Sequence, residues 1–349
     1  MAPETMPDDM LVLPPRQDIS AAWLGRDLAK HPEIWTITLS PDHVAELEQA
    51  MAEAVSRGMQ MADITDDNFM LPSLGPVLTA LQQDLLHGRG FALVRGLNVD
   101  RYTEQEIAVI FFGLGSYIGH ARSQNAAGHI LGHVRDTGAK GSDINTRIYQ
   151  TNERQTFHTD SCDVAGLICL RQAKSGGESM LVSAASIYNA FLEKQPDLLP
   201  CLFDPIATDR RGEIPEGMKP YFEIPVFTWH QGYLNVMYQR QYIDSAQRFP
   251  DAMRLTPEHV EALNLFDELA NDPDLKLAMM LEPGDMQFVH NHTLLHDRTG
   301  FEDWAEPERR RHVLRLWLSV PGDRPLPDCF AERFGKITIG NRGGVVVPD

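Results

Sequence analysis

Apolar residues recur at helical spacing in the first third of the chain and in short, turn-bounded runs after residue 146. Ser40 caps a first helix with Pro41 at its opening position. Val44, Leu47, Met51 and Val55 follow as a stripe, and Gly58 stops it. A second helix is predicted from Ser73 to His87, with Leu74, Leu78, Leu81 and Leu85 on one face and Gly88 past its end. The stretch GRGFALVRGL, Gly88 to Leu97, reads as a short apolar strand with Arg95 at its exit. Thr103 and Glu106 form a capping box for a helix reaching about Gly115. From His120 to Asn145 the chain is Gly-rich and polar without periodicity, so 116–146 is expected to be a lid or substrate loop.

Strands dominate thereafter. They are predicted at Arg147–Thr151, Gly166–Arg171, Ser179–Val182, Pro225–Trp229, Tyr233–Tyr238, Leu275–Leu281, Met286–His290 and Arg311–Ser319. Capped helices interrupt them after Ser183 and after Thr256-Pro257. Such an order predicts a mainly β fold, a sandwich or barrel, with the early helices packed outside it. No repeat or linker splits the chain, so 31–349 is expected to form one domain behind a partly irregular N-terminal arm, 1–30, rich in Pro, Asp and Met near its start.

Composition narrows the function. Lys plus Arg number 31 against 49 Asp plus Glu, a formal net charge of −18. That disfavours a nucleic-acid or anionic-membrane binder, whose surface must neutralise phosphates. An anionic small-molecule ligand would need a few local arginines. The four cysteines, Cys162, Cys169, Cys201 and Cys329, lack zinc-knuckle or CxxC spacing and fit reduced thiols. The first ten residues do not form a secretory signal, and the most apolar run, Ile107 to Ile118, is too short to span a bilayer. A soluble, cytoplasmic protein is expected, and a homo-oligomer is compatible with the sequence.

Chemistry concentrates in three segments. In His158-Thr-Asp160 the two side chains point to one side of an extended segment and can grip one metal ion. A third ligand is available in LEPGDMQFVHNHTLLHD, where a turn at Glu282–Asp285 feeds the strand Met286–His290 and a bend carrying His292 and His296. Two imidazoles and one carboxylate are the donor set of non-haem iron(II) oxygenases. In RRRHVLRLWLS, strand alternation puts Arg311, Val313, Arg315, Trp317 and Ser319 on one face. Two arginines there either pair with local acids such as Glu308 or hold the carboxylates of bound small molecules.

Together, GRGFALVRGL, FHTDSCD, KSGGES, PGDMQFVHNHTLLH and RRRHVLRLWL resemble, in order and spacing, the taurine / 2,4-D dioxygenase (TauD/TfdA) family of Fe(II)- and 2-oxoglutarate-dependent dioxygenases. The resemblance implies a double-stranded β-helix, or jelly roll, with added helices. It implies that His158, Asp160 and His296 hold Fe(II), and that Arg311, assisted by Ser179, binds the far carboxylate of 2-oxoglutarate. Arg315 falls where some members hold a substrate sulfonate or carboxylate. Ser123, Gln124 and Asn125 fall near a substrate-contacting loop. The implied reaction consumes O2 and 2-oxoglutarate, releases succinate and CO2, and hydroxylates, desaturates or cyclises a small, carboxylate-bearing molecule. A non-catalytic jelly-roll binding protein and a hydrolytic metalloenzyme using the same triad are the competing readings.

Overall fold

The structure is a computed structural model, and it describes residues 13–140 and 146–345. Two sheets organise the chain. The larger runs, in spatial order, Thr36–Thr38, Phe91–Arg95, Met286–His290, Val164–Arg171, His312–Ser319 and His120–Ala121, with Leu131–Val134 also paired to His312–Ser319. The smaller runs Leu277–Met279, Ser179–Ser183, Leu294–Arg298 and Gln155–His158, all antiparallel.

Alternation along the strands decides what each face meets. Phe91, Leu93, Val289 and Val313 of the larger sheet pack on Leu181, Leu277, Met279 and Leu294 of the smaller one, so the sheets face each other. The opposite parity, Ala92, Val94, Phe288, Leu314, Leu316 and Leu318, joins the apolar faces of the helices Pro41–Ser56, Leu74–His87 and Glu104–Ser116. Outside the smaller sheet, Phe157, Met180, Val182 and Leu295 pack against the helices Ala184–Lys194 and Pro257–Asn271. Each fully buried Leu, Val or Phe in these layers contributes about 1.5–3 kcal/mol. No helix among the described residues is long and apolar enough to cross a membrane.

Three helix starts carry the expected caps: Ser40, Thr103 and Thr256 each accept the backbone N–H three residues on. The first stripe shifts by one residue. Leu47, Ala50, Met51 and Ala54 are buried, while Val55 is 47% exposed. Small alanines let this helix approach the core closely, and Val55 lands on its outer side.

Other expectations need correction. Residues 13–30 are docked rather than loose. Gln17 exchanges hydrogen bonds with Asn189, the Trp23 ring packs on Phe91, and Gly25–Leu28 is helical. Residues 1–12 of the expected arm lie outside the described residues. The expected lid is partly sheet: His120–Ala121 and Leu131–Val134 both pair with the strand His312–Ser319. Its segment 141–145 lies outside the described residues. Arg147–Thr151 is not a strand but contains a 3-10 turn, Ile148–Gln150.

Candidate active site

The smaller sheet sets the first contacts. His158 ends the strand Gln155–His158, and His296 is its register partner on Leu294–Arg298. Antiparallel neighbours lie side by side, so the two rings sit 4.1 Å apart. His296 is therefore on a strand, not on the bend expected from sequence. Past His158 the chain leaves the sheet, and the Asp160 backbone N–H donates to Asn291 Oδ1 at 2.9 Å. That turn brings the Asp160 carboxylate to 3.9 Å from His158 Nε2 and 3.7 Å from His296 Nε2. Ligand atoms of all three lie within 4.8 Å of one another, and all three residues are buried.

Hydrogen bonds fix how these groups present themselves. His158 Nδ1 lies 2.8 Å from the Thr156 carbonyl, which assigns the proton to Nδ1 and leaves the Nε2 lone pair facing the site. The Gln155 side-chain N–H donates to that Nε2 at 2.9 Å. Trp317 Nε1 donates to Asp160 Oδ2 at 2.8 Å. Burial lowers the pKa of both histidines, that of His296 to about 3 with His158 adding to the effect, so both imidazoles are neutral near pH 7. Burial alone would raise Asp160. The positive Arg315, the two histidines and the Trp317 N–H outweigh it and hold the carboxyl well below its usual range. Two neutral imidazoles and one ionised carboxylate, converging in a dry corner, are a divalent-metal donor set. His296 Nδ1 is buried without a partner, so the protein does not fix this ring as it fixes His158.

A cavity opens from His158 and His296 toward Ser179, Arg311 and Val313. Arg311 precedes its strand by one residue, and a bulge between His312 and Val313 interrupts the simple alternation. It nevertheless shares the cavity with Val313 and Arg315. Its Nη1 is buried without a partner, and its guanidinium lies 5.3 Å from the Phe301 ring. Gly177, at φ +81°, passes close by: a Cβ there would stand 3.3 Å from Arg311 Nε. The SGGES turn thus needs glycine both for its backbone and for the room it leaves Arg311. Ser179 lines the same cavity, but its hydroxyl donates to Gln287 Oε1 at 2.9 Å.

Arg315 meets an acid, one of the two readings left open by the sequence, but the acid is Asp160. Its Nε donates to Gln124 Oε1 at 2.8 Å, and its Nη1 lies 3.4 Å from Asp160 Oδ2. The guanidinium is 4.8 Å from the ring centres of both Tyr149 and Trp317. It therefore has a resident anion, Asp160. Gln124 is a brace, donating from its amide to the Arg315 carbonyl at 2.7 Å. Ser123 binds the Val345 carbonyl, and Asn125 closes a local turn through Ala127 N and His129 N. Neither lines a cavity at the triad. Neither arginine of the strand pairs with Glu308.

The two histidines passed over near the distal ligand have other partners. His290 meets Asp323 at 3.1 Å and His292 meets Asp163 at 2.9 Å. Arg342 bridges both acids, at 2.7 Å and 2.9 Å. The set is a buried, internally satisfied network that ties the C-terminal segment to the larger sheet.

Sequence reading missed a second group of residues. Thr159, Asp160, Ser161 and Trp317 form one side of another cavity, and Arg147, Arg210 and Arg333 reach it from elsewhere in the chain. Tyr238 lines it too, with its hydroxyl on Asp267 at 2.6 Å. The signal for the arginines was weak, because they belong to no motif and lie up to 173 positions from Asp160.

Comparison with known proteins adds an independent line. The family model described as taurine catabolism dioxygenase TauD, TfdA family matches residues 57–317. The FR-33289 synthase of Streptomyces rubellomurinus is 34% identical over 311 residues, covering 86% of this chain and 90% of that protein. The taurine hydroxylase-like protein SAT17 of Stachybotrys chartarum is 33% identical, covering 86% of this chain and 81% of that protein. Among solved structures, the non-heme iron oxygenase OrfP in complex with Fe and alpha-ketoglutaric acid superposes with a TM-score of 0.62. It shares 13% identity and covers 81% of this chain and 93% of OrfP.

Proposed function

The chain belongs to the TauD, TfdA dioxygenase family, and on that premise we propose how its residues run the Fe(II)- and 2-oxoglutarate-dependent oxidation of a small molecule. His158, Asp160 and His296 hold the metal. Arg311 binds the far carboxylate of 2-oxoglutarate. The two facing sheets are read as a double-stranded β-helix, with the site inside its open end. The observation that carries the assignment is the unpartnered, buried Nη1 of Arg311 in the same cavity as both histidines. A buried guanidinium without an acceptor is costly, and a carboxylate matches its fork. A hydrolytic metal site would leave Arg311 without a role.

Bound Fe(II), 2-oxoglutarate and O2 supply the oxidation, with 2-oxoglutarate ending as succinate and CO2. The chain's own residues do the positioning. The Thr156 carbonyl holds His158 in the tautomer that presents Nε2. Asn291 and Trp317 fix Asp160 from its backbone and its carboxylate. Arg315 offsets the Asp160 charge, so the carboxylate stays ionised though buried. Leu167, Leu281 and Val313 form apolar walls that keep water from the co-substrate cavity. Ser179 supports that cavity through Gln287 rather than by reaching Arg311.

Anaerobic Fe(II) titration with and without 2-oxoglutarate tests the assignment. A weak visible absorption band should grow only when both are present. Its absence in the wild-type chain would reject the co-substrate reading, and its persistence in Asp160→Ala would reject the ligand set.

A further inference from the structure

The cavity on the far side of Asp160 has an unbalanced charge ledger. Its one acid besides Asp160 is already engaged, Asp209 by Arg248 and by the Ser245 hydroxyl, and Arg147 at its edge is paired with Glu213. Arg210 and Arg333 have no carboxylate within ion-pair distance among the described residues. Arg210 spends Nε on the Lys219 carbonyl at 3.0 Å and Nη2 on the Glu332 carbonyl. Arg333 spends only Nε, on Ser161 Oγ at 2.7 Å. Its two Nη groups and Nη1 of Arg210 are left for the cavity.

Both side chains are buried, with relative exposures of 3% for Arg210 and 7% for Arg333. The ring of Phe222 packs against both guanidiniums, 5.4 Å from that of Arg210 and 5.9 Å from that of Arg333. It holds two like charges in one neighbourhood. Burial, together with Arg147 and Arg210, pulls the Arg333 pKa down to about 9 against a smaller opposing pull from Tyr242 and Asp160. Two desolvated positive charges are expensive unless an anion arrives.

We propose that this cavity binds the substrate through a tetrahedral dianion, a phosphate monoester or phosphonate, gripped by Arg333 and Arg210 with Arg147 at its edge. The charge of the group matches the two uncompensated guanidiniums. A planar carboxylate satisfies one fork and leaves the second cation buried. Three oxygens can take the Arg333 fork and Arg210 Nη1 together, and the Ser161 hydroxyl, which accepts from Arg333, still has its proton to donate. Ser161 follows Asp160 directly in the chain, so the anion sits beside the metal ligand and the oxidised carbon lies close to the phosphorus-bearing end. That last placement rests on the metal assignment above; the anion site itself does not.

Calorimetric titration of the full chain, with Fe(II) and saturating 2-oxoglutarate present under argon, tests this. The probes are inorganic phosphate and methylphosphonate, against methanesulfonate and acetate at equal ionic strength. Phosphate and methylphosphonate should bind at least tenfold more tightly than the two monoanions. Arg333→Gln and, separately, Arg210→Gln should each erase that preference, while Arg333→Lys, with charge but no fork, should keep part of it. The Fe(II)/2-oxoglutarate absorption band should be unchanged in all three variants, which shows that they are folded. Equal binding of methanesulfonate, or a phosphate preference that survives both Gln variants, overturns the proposal. A missing band in a wild-type chain that still prefers phosphate rejects the metal assignment alone.

Discussion

Two cavities meet at the metal-ligand cluster, and they handle charge differently. On one side Arg311, with Arg298 and Arg315 in the same cavity, lies against apolar walls formed by Leu167, Leu281 and Val313 and keeps a buried Nη1 without a partner, and Gly177 passes close to it. On the other, Arg147, Arg210 and Arg333 crowd a polar pocket with Thr159 and Ser161. One unpartnered fork against an apolar wall selects one carboxylate. Clustered guanidiniums of excess charge select by charge number and by tetrahedral shape. The wall between them is Asp160, which faces the arginine-rich cavity and also sits on Arg315. The second strand arginine is paired with Asp160, and on the proposal above recognition of substrate passes to arginines outside that strand.

The largest effect should come from breaking the shared wall. Asp160→Ala should abolish succinate release and product formation, with micromolar Fe(II) supplied. It also strands Arg315, whose side chain is 6% exposed, without its counter-ion. Loss of one partner of a buried pair costs about 3–5 kcal/mol, so the melting temperature should fall as well. Near-normal oxidation by the variant would dismiss Asp160 as a ligand.

Arg315→Ala sharpens the contrast, because it separates the two readings the sequence left open for this residue. Read from the family resemblance, it should raise substrate KM. Its contacts with Asp160 and Gln124 instead predict Fe(II) binding weaker by about 10- to 100-fold, the usual cost of losing a residue that orients a metal ligand. Substrate KM at saturating iron should barely move. A large KM change at unaltered iron affinity would return Arg315 to the substrate.

Arg311→Lys probes the unpartnered fork. KM for 2-oxoglutarate should rise roughly tenfold or more, while Fe(II) affinity and the phosphate preference of the other cavity stay as they are. Changes in both cavities together would mean they are one pocket and not two.

The two regions were unequally legible in the sequence. Helix starts could be read because caps are local: Ser40-Pro41, Thr103 with Glu106, and Thr256-Pro257 need only their own neighbours. Met286–His290 could be read from its turn and its apolar run. Leu294–Arg298 could not. All five residues are buried between two neighbouring strands, so its LLHDR shows no alternation. Ile206–Asp209 and Tyr221–Ile224 were hidden by the charged, Gly- and Pro-rich loop that joins them. At the site, His158 and Asp160 are neighbours and Arg311 follows His296 by fifteen positions, so motif spacing finds them. Arg333 is bonded to Ser161 across 172 positions, a contact that only the finished topology makes.

Acid should act on the framework common to both cavities. Burial lowers the pKa of His292 to about 4 from an ordinary 6.5, and that of His296 to about 3. Below pH 6.5 the unfolded chain takes up protons that the folded chain refuses, so the stability present above 6.5 is lost progressively as pH falls toward 4. The metal-free chain should show a melting temperature that declines across that window. A flat profile would mean these imidazoles already accept protons in the folded state.

Ser179→Ala should have the smallest effect, and it discriminates between two accounts of the unpartnered fork. If the serine hydroxyl helps bind 2-oxoglutarate directly, as the family resemblance implies, its loss removes one hydrogen bond to a charged carboxylate, worth about 1.5–3 kcal/mol, and KM should rise by at least tenfold. The structure gives that hydroxyl to Gln287 Oε1 instead. Gln287 is fully buried, and its side-chain N–H lies 3.1 Å from Met279 Sδ. Removing a neutral–neutral bond of this kind costs about 1 kcal/mol, which should appear mainly as a lower melting temperature. The expected result is therefore a KM for 2-oxoglutarate raised less than about fivefold, with a small loss of stability. A tenfold rise in KM without loss of stability would show that Ser179 turns from Gln287 to the co-substrate, and that the carboxylate in this cavity is held by two residues rather than by Arg311 alone.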